Sequence, residues 1–61
     1  MNVKLKMAIL ESGKHQFEIA RNAKISETCM SRVVTGRRQL SSEEASRLAL
    51  VLDISIADIY P

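Results

Sequence analysis

The chain has 61 residues, with nine Lys and Arg against seven Asp and Glu, a formal net charge of +2 and 46% hydrophobic residues. That length allows one domain, residues 1–61, and one small core, since a chain of this size buries only about 60% of the surface its unfolded form exposes. One cysteine excludes an internal disulfide, one histidine leaves no zinc-ligand set, and the absence of a long apolar run or cleavable signal pattern predicts a cytoplasmic protein with no membrane partner.

Residues 3–12, VKLKMAILES, carry Leu5, Ala8, Ile9 and Ser12 on one stripe, with Leu10 beside it, and predict a first helix. Gly13 ends it as a residue able to take positive φ. His15 stands where a helix cap belongs, although it caps less well than Ser or Asn. A second helix follows from Gln16 to Ala23, with Ile19, Ala20 and Ala23 facing inward. Phe17 lies off that stripe; it either covers the base of the next helix or touches a sugar or a thymine methyl. Ala20 is small enough to let two helix axes cross closely. Ile25 plugs the turn, and Ser26 is a good N-cap for a third helix, which carries Met30, Val33 and Val34 on its inner side.

The third helix then presents Glu27, Thr28, Ser31 and Arg32 outward. Such polar side chains near a helix N-terminus can read the donor and acceptor pattern of base edges in a DNA major groove. Two helices held at a fixed angle by a short turn, with such a face on the second, predict a DNA-binding helix-turn-helix over Gln16–Thr35. Gly36 closes the recognition segment 27–35, and Arg37 and Arg38 follow where they can contact phosphate. His15 and Gln16 are candidate phosphate donors at the other end.

Charge divides with this motif. Residues 1–38 hold eight basic and three acidic side chains, a net +5, whereas residues 39–61 hold Arg47 against Glu43, Glu44, Asp53 and Asp58, a net −3. The basic half is the one that would face phosphate.

Ser41 and Glu44 form a capping-box pattern opening a fourth helix to about Leu52, with Ala45, Leu48, Ala49 and Leu52 inward. Asp53-Ile54-Ser55 reads as a break, and Ser55 caps a last short helix, IADIY. Ile54 and Ile59 complete the core. Leu50, Ile56 and Tyr60 remain as an apolar cluster, either an association surface for a homodimer or padding at the core's edge. The prediction is all-α, with VLDIS the one place where a strand is conceivable.

The specific residues Gln16, Ile19-Ala20, Ile25-Ser26, Met30-Ser31-Arg32-Val33, Gly36-Arg37-Arg38 and the segment LALVLDISIADIY resemble the lambda-repressor/Cro-like, or XRE, helix-turn-helix family. The likeness runs from Leu5 to Tyr60. It implies a five-helix domain that binds a palindromic operator in double-stranded DNA as a two-fold dimer. Gln16 would contact phosphate, Glu27, Thr28, Ser31 and Arg32 would take the base-reading positions, and Gly36–Arg38 would grip the backbone. Three departures stand out. Lys24 occupies a turn position where the family often has Gly. Ile9 and Val34 stand where many members pair Arg with Glu. Glu27 puts a carboxylate at the lip of the recognition helix, where it suits the helix dipole and can accept from a cytosine amino group. Cys29 reads as a small packing residue rather than a redox switch.

The expected function is a small repressor of the Cro type acting by operator occupancy, with no cofactor or small-molecule ligand. An antitoxin or restriction-controller protein would share these features, and a helical protein-interaction module without DNA binding is the alternative from another class. No paired carboxylate, nucleophile–base pair or phosphate-cradling glycine loop suggests an enzyme.

Overall fold

Two helix starts, at Ser26 and Ser41, are written in the sequence as side-chain caps. A computed structural model describes residues 2–60 as four α-helices and one 3-10 turn. The helices are α1 (Val3–Ser12), α2 (Gln16–Asn22), α3 (Glu27–Val34) and α4 (Ser42–Leu52), followed by the turn Ile56–Asp58. Ser26 caps α3 by accepting from the Cys29 N–H at 3.1 Å, and Ser41 caps α4 by accepting from the Glu44 N–H at 3.2 Å. Glu44 completes that box by accepting from the Ser41 N–H. Hydrogen bonding by Ser41, its backbone first, with Arg38 and Arg47 nearby, holds the Glu44 carboxyl below the ordinary carboxylate range. His15 precedes α2 without a side-chain capping bond.

The helix ends share one device. After α2, α3 and α4 the chain turns through a left-handed residue, Lys24, Gly36 and Asp53, and the following N–H reaches back to a carbonyl one turn inside the helix. The bonds are Ile25 N–H to Ala20 O, Arg37 N–H to Arg32 O and Ile54 N–H to Ala49 O, at 2.9, 2.8 and 3.0 Å. After α1, Gly13 takes the left-handed conformation, and the Ser12 hydroxyl accepts from the Lys14 N–H while donating to Ile9 O.

Lys24 therefore adopts φ 58°, the glycine-like conformation its position requires. An L-residue there costs about 1–2 kcal/mol, against the roughly 0.5–1 kcal/mol of unfolded-state entropy that glycine would add. Lys24→Gly is expected to raise the thermal midpoint by about 2–6 °C in a calorimetric scan. A lowered midpoint would mean that the lysine side chain itself holds the turn.

All four helices contribute to one core, whose largest fully buried side chains are Leu5, Ile19, Met30 and Leu48. Ala20 and Ala23 are fully buried where α2 meets α3 and α4, so these methyls set how closely the axes approach. Ile25 is buried in the turn, and Ile9 and Val34 both belong to the apolar cluster. Cys29 is a buried free thiol packed in the same cluster.

The final segment corrects the five-helix expectation. Within Ile56–Tyr60 only Ile56–Asp58 is regular, a single 3-10 turn rather than a fifth α-helix, held by bonds from Asp58 N–H to Ser55 O and from Ile59 N–H to Ile56 O. So short a segment makes too few bonds to offset the cost of nucleating an α-helix. Tertiary contacts fix its shape instead: Ile59 is buried and its carbonyl accepts from the Asn2 side chain. No strand occurs among the described residues, and VLDIS is the end of α4 and its cap.

Candidate nucleic-acid interface

Burial on one side of α3 decides what the other side offers. Cys29, Met30, Val33 and Val34 point into the core, and Glu27, Thr28, Ser31 and Arg32 are all exposed on the opposite face. Neither charged member of this group takes part in an ion pair among the described residues. With its side chains an α-helix is about 10–12 Å across, close to the roughly 12 Å width of the DNA major groove.

Both ends of α3 are flanked by polar groups suited to phosphate. At its start, His15, Gln16 and Phe17 line a shallow cavity with Glu27 and Met30, so the N-terminus of α2 lies beside the first turn of α3. At its end, the left-handed Gly36 turns the chain so that Arg37 and Arg38 follow directly, both exposed. Arg38 leans toward Glu44 Oε1 at 3.9 Å, the outer limit of an ion pair, and keeps about half of its side chain in solvent. An exposed pair at that distance contributes little and does not occupy the guanidinium.

Phe17 is exposed rather than folded over the core. Its ring stacks on His15, with centroids 5.5 Å apart and planes 9° apart, and the Arg21 guanidinium lies 6.0 Å from its centroid. The arrangement places a cationic group and an aromatic surface beside the Gln16 N-terminus.

Sequence reasoning missed three residues that position this face. Arg47 donates through Nε to Ala23 O at 2.8 Å and through a terminal nitrogen to Glu43 at 3.1 Å, so α4 clamps the connection between α2 and α3. Its sole signal was its place as the one basic residue of the acidic half. Asn2 is buried and caps α1 through its side-chain oxygen, and Leu40 is buried in the loop after Arg38. Asn2 also sends its backbone N–H to Val34 O at 3.1 Å, which fixes the end of α3. An Asn before a periodic run is a readable cap; its long-range bonds are not.

The residues expected at a dimer interface lie in different settings. Leu50 is 83% exposed, on a face of α4 otherwise formed by Glu43, Ser46 and Arg47. Ile56 is exposed in the 3-10 turn. Tyr60 is half-buried against the core, its hydroxyl donating to Leu40 O at 3.2 Å.

No group of His, Cys, Asp and Glu among the described residues is arranged to hold a metal ion, and no helix there is long and apolar enough to cross a membrane. Comparison with family models, curated proteins and solved structures gave no match.

Proposed function

We propose that this chain is a sequence-specific double-stranded DNA-binding repressor, acting through a helix-turn-helix made of α2 and α3. The observation that carries the reading is the two-sided character of α3: four apolar side chains seated in the core and Glu27, Thr28, Ser31 and Arg32 free on the opposite face. With α3 in the major groove, Gln16 and His15 meet the backbone on one side of the groove, and Arg37 and Arg38 meet it on the other. The complex contains two copies on a palindromic operator, and repression follows from occupancy.

A salt titration tests the DNA reading directly. Four arginines from two copies should give a slope of roughly −3 to −4 in log affinity against log salt, with further contacts steepening it. Selection from a random duplex pool should yield a palindrome whose half-sites lie about one helical turn apart, near 34 Å. Affinity that ignores salt, together with no enriched sequence, would sink the proposal and favour a helical protein-interaction module.

A further inference from the structure

The outer face of α1 carries an apolar stripe that the core does not use. Val3, Met7 and Leu10 are 63%, 50% and 67% exposed, and their i, i+4, i+7 spacing sets them in one line on the side away from Leu5 and Ile9. That spacing is the seam of a helix pair, with Val3 and Leu10 equivalent and Met7 between them. Beside the stripe lies a groove of about 490 Å³ between α1 and the end of α4, with Met7 and Ile54 among its apolar lining and Glu11, Asp53 and Asp58 among its acidic groups.

We propose that the chain self-associates through α1, with a second copy's α1 lying antiparallel across the Val3–Met7–Leu10 stripe. Charge complementarity selects this occupant. On the flank facing the groove, Lys4 and Glu11 are one heptad apart, so a two-fold antiparallel pairing centred near Met7 sets each Lys4 opposite the partner's Glu11. The acidic Asp53 and Asp58 share the groove with Lys4 and Glu11 and add to the field that the partner's Lys4 meets. On the other flank Lys6 approaches its own two-fold mate. That repulsion, with only three apolar side chains per copy, makes the association weak, below the roughly 1,600 Å² of a standard interface. The inference is independent of DNA binding.

Sedimentation equilibrium from about 10 μM to about 1 mM, without DNA, reads the association. Met7→Lys should raise the dimer dissociation constant by at least about tenfold, by placing two ammonium groups at the seam. Lys4→Glu and Glu11→Lys should each raise it by roughly tenfold, and the double reversal should bring it back toward the parent value. Leu50→Ser should leave it unchanged. All four positions are exposed, so far-UV circular dichroism and the melting temperature should stay at parent values. A monomer at every concentration overturns the proposal and leaves the stripe to a different protein or a lipid surface. Dimerisation that survives Met7→Lys but fails with Leu50→Ser, or a double reversal weaker than either single one, overturns it as well.

Discussion

Asn2→Ala is expected to lower the unfolding free energy by about 2–4 kcal/mol, the largest stability effect of any polar position in the chain. The side-chain oxygen accepts from Leu5 N–H at 3.1 Å, and the side-chain nitrogen donates to Ile59 O, both within the buried interior. Loss of an N-cap costs about 1 kcal/mol, and leaving the buried Ile59 carbonyl without its donor costs a further 1–3 kcal/mol or so. A 61-residue domain has only about 3–9 kcal/mol in total, so the variant should show a substantial unfolded fraction at 37 °C. Urea denaturation measures the loss. Asn2→Ser separates its parts, because serine keeps the cap and cannot reach Ile59; it should recover about 1 kcal/mol. A loss below about 0.5 kcal/mol for the alanine variant would show that Asn2 does not tie the ends together.

Arg32→Ala should weaken binding to the selected operator by about 1–3 kcal/mol and relax preference at one base pair, the signature of a bidentate contact to guanine. Arg32 is exposed on the outer face of α3, and its removal takes nothing from the core. Arg38→Ala should behave differently. It should weaken all duplexes alike and reduce the salt slope by about one per copy, the signature of a phosphate contact. Its 3.9 Å approach to Glu44 is too exposed for its loss to unfold the protein. Binding assays with operator and scrambled duplex at two salt concentrations separate the two variants. Sequence-blind losses of equal size would remove the base-reading role from Arg32.

Local chemistry was the legible part of this chain. The four α-helices begin and end within about one residue of their predicted bounds, because Ser26, Ser41, Gly13 and Gly36 act on N–H and C=O groups in their own turn. At Lys24 the resemblance to a family that often has Gly there left two outcomes, a slightly strained turn or a differently shaped one, and the structure takes the first, with φ 58°. What stayed hidden depends on distant partners. Asn2 meets Ile59, Arg47 meets Ala23, and Tyr60 meets Leu40, pairs separated by 57, 24 and 20 residues. No periodicity reports such bonds, and they explain why the last segment is a turn bound to the core instead of a free helix. At the candidate interface the exposed face of α3 followed from simple alternation with its buried face. The clamp that Arg47 places on the neighbouring turn did not.

The joining of Asn2 to Ile59 has a practical corollary. Asn2 and Tyr60 share a small cleft with Gly36 and Arg38, so the two ends of the described chain emerge at the same corner, next to the arginine loop. A purification tag or reporter fused at either end would crowd that loop. Binding assays therefore belong on chains from which such additions have been cleaved.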